Sequence, residues 1–133
     1  MSILLVDDER DIAHVLKNGL ESGGNNDDLA VHVFTDLVLA LENFQKNPQG
    51  YAIVISDIRM PGMSGFQLVR EIKKLNSSVK VILMSSFEIN RSEFANELGF
   101  AGVDFVQKPV RITELRKVVL NNLAESNEAR GQL

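Results

Sequence analysis

Five short apolar runs, each closed by polar residues and parted from the next by a stretch with helical spacing, limit this chain to few folds. The runs are Ile3 to Val6, Leu29 to Phe34, Ala52 to Ser56, Val79 to Met84 and Val103 to Val106. Runs this short read as strands, and all but the second are near-continuously apolar, the mark of strands covered on both faces. The second has the β-rich pattern of a half-buried strand.

The intervening segments read as helices. Ile12, Val15, Leu16, Gly19 and Leu20 recur on one face of a first helix, and Leu37, Ala40, Leu41 and Phe44 on a second that Asp36 is placed to cap. Phe66, Leu68, Val69 and Ile72 mark a third. A fourth is predicted to start with a variant capping box at Asn90 and Glu93 and to end at Gly99. Ile112, Leu115, Val118, Val119 and Leu123 form the apolar face of a fifth. Breakers from Gly23 to Asp28, from Asn47 to Gly50 and from Pro61 to Gly65 part the units.

Strands alternating with helices pair in parallel through right-handed crossovers, with helices on both faces of the sheet. The fold class is therefore α/β, a doubly wound five-stranded parallel sheet. At 133 residues one domain is expected, spanning 1–123, with 124–133 a polar tail or the start of a linker.

Fourteen basic residues against eighteen acidic ones give a net charge of -4, which leaves no global positive field for nucleic acid. The absence of cysteine excludes disulfides, thiolate chemistry and cysteine-type zinc sites, and fits a cytoplasmic location. Met1 to Val6 runs straight into Asp7 and Asp8, too short for a signal peptide or a membrane span.

In open parallel sheets ligands sit beyond the carboxyl ends of the strands. Asp7, Asp8 and Glu9 follow the first run, Asp57 the third, Ser85 and Ser86 the fourth, and Lys108-Pro109 the fifth. Together they predict an acidic cup flanked by a hydroxyl and an ammonium. Clustered carboxylates repel unless a cation lies between them, and Mg2+ selects such oxygens while completing its shell with water and phosphate. The ammonium and hydroxyl suit the remaining phosphoryl oxygens.

Four segments, Leu5-Val6-Asp7-Asp8-Glu9, Ser56 through Gly65, Met84-Ser85-Ser86 and Val106-Gln107-Lys108-Pro109, resemble the receiver domains of two-component response regulators, chemotaxis receivers among them. The resemblance runs from Ile3 to about Leu123. It implies a flavodoxin-like strand order 2-1-3-4-5 with five helices, the order of the known doubly wound receivers. It further implies that Asp57 accepts a phosphoryl group from a sensor histidine kinase or phosphotransfer protein. Asp8, Asp57 and the Arg59 carbonyl would bind Mg2+, with Asp7 helping through water. Lys108 would neutralise charge on the phosphoryl group. Ser85 and Phe105 would form the switch that changes the output surface, and the Lys108-Pro109 bond would be cis.

By the same resemblance the chain is a signalling switch that phosphorylates and dephosphorylates only itself, not a turnover enzyme. Its expected partners are the kinase and a downstream protein or a C-terminal output domain, with phosphorylation-dependent dimerisation allowed and neither nucleic acid nor membrane bound directly. Two competing functions are a Mg2+-dependent aspartyl phosphatase and a degenerate receiver acting as a docking module. The first calls for aspartates one residue apart, and Asp7 and Asp8 are adjacent; the second usually lacks a member of the cup.

Bland roles compete at each position. Asp7 and Asp8 would cap the first helix if nothing acidic lay across the sheet, and Phe105 is ordinary core on general grounds. His14 and His32 are structural. Arg111 occupies the usual cap position of the last helix, so a late or frayed start is expected. Arg59 and Phe87, two residues past the acceptor and the switch hydroxyl, carry no group suited to orienting a water, which predicts slow loss of the phosphoryl group.

Overall fold

The computed structural model describes residues 1–22, 29–60, 62–86 and 102–131, with side chains to Ala124. Ser2–Val6 (β1), Ala30–Phe34 (β2), Ile53–Asp57 (β3), Lys80–Ser85 (β4) and Val103–Gln107 (β5) form one sheet in the order β2-β1-β3-β4-β5. Every pairing is parallel. Arg10–Glu21 (α1), Leu37–Lys46 (α2), Gly65–Leu75 (α3) and Ile112–Gly131 (α4) are the helices among the described residues. The helix expected from Asn90 to Gly99 lies outside them.

Side chains alternate across each strand, so two cores form. Ile3, Leu5, Ile55 and Ile82 face one way and pack with Leu16 and Leu20 of α1 and Leu115 and Val119 of α4. Leu4, Val6, Val54 and Leu83 face the other way, against Leu37 and Phe44 of α2 and Leu68 and Ile72 of α3. Burial on both faces explains why β1, β3 and β4 are almost purely apolar. Each large buried side chain contributes about 1.5–3 kcal/mol. Caps are smaller at about 1 kcal/mol each, so packing stabilises the helices and the caps fix where they start. Asp36 accepts from the Val38 and Leu39 N–H groups at 2.8 and 3.2 Å. Ser64 and Gln67 cap α3 reciprocally, a capping box not anticipated from the sequence.

Three expectations need correcting. On α1 the residues that reach the sheet are Ala13, Leu16 and Leu20, while Ile12 and Val15 are 39% and 66% exposed. The apolar arc of that helix is wider than the strip the sheet covers. Asp57 and Ser85 are the last residues of β3 and β4 rather than the first beyond them, because the ladder continues one step past the apolar run. The last helix runs past Leu123 to Gly131.

Candidate functional site

The strand order brings the ends of β1, β3, β4 and β5 to one edge, where β1 and β3 lie side by side. Asp7 and Asp8 leave β1, Asp57 closes β3, Ser85 closes β4 and Lys108 follows β5. Asp7, Asp8 and Asp57 bring carboxylate oxygens within 4.8 Å of one another. Asp7 is fully buried and Asp57 is 4% exposed, whereas Asp8 opens to solvent. Asp7 Oδ1 accepts from the Glu9 N–H at 2.9 Å, and the N-cap residue of α1 is Glu9, without a side-chain cap. The first two aspartates therefore turn toward the cup instead of capping the helix.

Lys108 reaches across the sheet. Its Nζ lies 2.6 Å from Asp57 Oδ1 and 3.3 Å from Asp7 Oδ2. Its backbone N–H donates to the Ser85 carbonyl at 2.6 Å, tying the ends of β5 and β4 together, and the bond to Pro109 is cis as expected. Asp57 Oδ2 is buried and has no hydrogen-bond partner among the described residues.

Burial pushes the Asp57 carboxyl up to about 7, reinforced by Asp7 and opposed by Lys108. For Lys108, burial lowers the ammonium, but the bonds and charges of Asp57 and Asp7 outweigh it and hold the group above its ordinary value. One ammonium shared by two buried carboxylates leaves the site short of positive charge. The orphaned oxygen, the three carboxylates and the open side at Asp8 fit a hard divalent cation of the Mg2+ type.

Asp8, Glu9, Asp57, Arg59, Ser85, Ser86 and Lys108 line a cleft of about 190 Å3. The backbone of the acceptor turn is held from beneath. The Gly65 N–H donates to the Ile58 carbonyl at 2.7 Å, and a Cβ on Gly65 would collide with the Asp57 carbonyl oxygen. Gly65 thus permits a close contact between the start of α3 and the end of β3. Phe105 is buried in the core beneath α2 and α3. His14 and His32 are solvent-exposed, and His32 sits edge-on to Tyr51.

Sequence reasoning missed the groove next to the cleft. Ile12, Val15, Leu16, Pro109 and Val110 wall an apolar space of about 570 Å3 that shares Glu9, Ser86 and Lys108 with it. The signal was present in the over-wide apolar arc of α1.

The sequence pattern of the response regulator receiver domain matches residues 3–120. The C4-dicarboxylate transport transcriptional regulatory protein DctD of Rhizobium meliloti is 34% identical over 130 residues, covering 91% of this chain and 27% of DctD. The transcriptional regulatory protein YkoG of Bacillus subtilis is 33% identical over 113 residues, 85% of this chain and 46% of YkoG. The chain thus spans less than half the length of these relatives. Among solved structures, a response regulator receiver domain protein from Clostridium thermocellum superposes with a TM-score of 0.82 at 27% identity, covering 96% of this chain and 98% of that one. The BeF3-activated DrrB receiver domain gives 0.71 at 26% identity, covering 92% and 97%.

Proposed function

The chain belongs to the response regulator receiver domains, whose family function is phosphoryl acceptance, and from that premise we propose that it takes the phosphoryl group on Asp57 and signals through a changed surface. One observation carries the assignment. Asp57 is the buried carboxylate with one oxygen held by Lys108 and the other without a partner among the described residues.

Asp57 acts as the nucleophile: a carboxylate oxygen forms the bond to phosphorus as the bond from phosphorus to the donor breaks, either to a kinase histidine nitrogen or to the oxygen of acetyl phosphate. Lys108 stays protonated and offsets charge on the phosphoryl oxygens. Mg2+ would be held by Asp8, Asp57 and the Arg59 carbonyl, with Asp7 through water. When bound, the cation favours the ionised form of Asp57 and neutralises phosphoryl oxygens. Ser85 and Phe105 are the proposed switch, the first at the cleft and the second within β5, buried in the core beneath α2 and α3.

The donor is a sensor histidine kinase or a phosphotransfer protein, and the apolar groove beside the cleft suits a helix of that donor. The output goes to a protein target or to a domain joined after 1–123 through 124–133, with dimerisation as one consequence. The protein modifies only itself and works in the cytoplasm; no helix among the described residues is long and apolar enough to cross a membrane. Incubation with acetyl phosphate and Mg2+ followed by intact-mass measurement tests the reading. A single phosphoryl adduct is expected, and none under conditions that label other receivers would refute it.

A further inference from the structure

β2 is an outer strand of the sheet. The Ala30 N–H donates to the Met1 carbonyl at 2.9 Å, and the Asp7 N–H donates to the Phe34 carbonyl at 3.1 Å. Ala30, Phe34 and, by the two-residue period, His32 therefore turn their backbone groups toward β1, while Val31 and Val33 turn theirs away from the sheet. Both outward groups of Val31 are taken by side chains of α1. Its N–H donates to Glu21 Oε2 at 2.9 Å, and its carbonyl accepts from Lys17 Nζ at 2.9 Å. Lys17 and Glu21 are themselves paired at 2.9 Å, one helical turn apart. The Val31 N–H first, and Lys17 next, hold the Glu21 carboxyl below its ordinary value.

Nothing within β2 protects that edge. Ala30-Val31-His32-Val33-Phe34 contains no Lys, Asp, Glu or Pro, and it pairs with β1 in unbroken register without a bulge. Such a strand is a template for another. The opposite outer strand, β5, carries Asp104. A strand added to β2 must pair with alternate residues, and the five residues of β2 offer two that face outward. The α1 pair occupies one of them.

We propose that Lys17 and Glu21 block the β2 edge against strand addition by a second copy of this chain. A second copy is the fitting occupant because β2 itself carries no acidic residue, lysine or arginine and is its own complement: two β2 strands meeting about a two-fold axis pair antiparallel through the same outward groups. As an exposed ion pair it would be worth little. Its place on the strand backbone gives it this role.

Sedimentation velocity across a concentration series tests the block. Lys17→Ala/Glu21→Ala should raise the self-association constant about tenfold or more, since the freed N–H and carbonyl become available for pairing. Adding Val33→Pro, which removes the other outward N–H without touching the ladder, should return it to the parent value. Glu21→Gln, whose carboxamide oxygen still accepts from Val31, should behave as the parent. Should the double variant melt below the working temperature, Glu21→Ala alone, which frees only the Val31 N–H, takes its place with the same readings. An alanine variant that sediments like the parent overturns the proposal, and so does association that survives Val33→Pro.

Discussion

Lys108 and Asp57 meet at 2.6 Å through a single carboxylate oxygen, leaving the other oxygen of Asp57 buried without a partner among the described residues. A structural ion pair in a folded core satisfies both oxygens, because an unmet buried acceptor costs about 1–3 kcal/mol. The asymmetry, with the three clustered carboxylates beside it, fits a cation at that oxygen.

Asp57→Asn should abolish labelling by acetyl phosphate while leaving the domain folded, since the carboxamide keeps the shape and loses the nucleophile. Intact mass after incubation with donor and Mg2+ reads the outcome. A phosphoryl adduct on the variant would move the acceptor to another residue.

Mg2+ should bind weakly alone and more tightly with beryllofluoride present, because the phosphoryl mimic brings a further ligand to the three carboxylates. Linkage requires the reverse as well: the mimic should bind more tightly with the ion. Calorimetric titration in both orders checks this, and equal affinities with and without the mimic would rule out a shared site.

Gly65→Ala should destabilise the domain by about 1–3 kcal/mol. The new Cβ meets backbone, the Asp57 carbonyl oxygen and Ile58 Cα at 2.9 Å, so no side chain can swing aside. The same strain falls on the acceptor, and labelling should slow. Gly62→Ala has open space around it but a φ of 88°, so it should cost about 1–2 kcal/mol from backbone conformation alone. Urea unfolding measures both, and labelling as fast as the parent in Gly65→Ala would show that the contact does not position Asp57.

The sheet was legible because β1, β3 and β4 are covered on both faces, which forces near-continuous apolar runs. The strand ends were one residue off at Asp57 and Ser85, where the apolar signal stops but the backbone ladder does not. The cup was legible because its members stand next to strand ends and the parallel order collects those ends. What sequence did not disclose is the division of labour within the cup: Asp7 buried against Lys108, Asp8 open, and one oxygen of Asp57 orphaned. Those facts depend on the reach of Lys108 from 101 positions away in the chain. Nor did helical spacing tell which apolar residues of α1 meet the sheet and which wall the groove.

The phosphorylated form should hold its phosphoryl group for long compared with receivers that carry a carboxamide or carboxylate beside the acceptor. Arg59 lines the cleft and is exposed. A guanidinium donates and never accepts, so it can contact phosphoryl oxygens but cannot orient an attacking water as a carboxamide would. Phe87, the other position expected to matter, lies outside the described residues. Labelled protein freed of donor and followed with Mg2+ present should decay faster as Arg59→Asn than as the parent, by about tenfold if one water-orienting bond is gained. Equal decay would remove Arg59 from the account.

Without metal, the domain should lose stability as pH rises from about 4 to about 7. The Asp57 carboxyl has an ordinary value of 3.8, and burial, with Asp7, pushes it up to about 7 in the fold against the pull of Lys108. Between those values the unfolded chain has released the proton that the folded chain still holds, so the folded state binds more protons and stability falls with rising pH. The contribution is present in full below the lower value and is lost through the upper one. Glu21 works in the other direction, its carboxyl lying below an ordinary 4.5, so its gain is complete before the upper part of the window. Asp57→Asn removes the titrating group and should flatten the slope from about pH 5 to 7, leaving the variant more stable than the parent at neutral pH in EDTA. Added Mg2+ should raise the parent more than the variant, because it binds the ionised carboxylate. Urea unfolding of both proteins in EDTA at several pH values decides it: parallel slopes would mean that Asp57 is already ionised in the metal-free fold and that Lys108 outweighs burial.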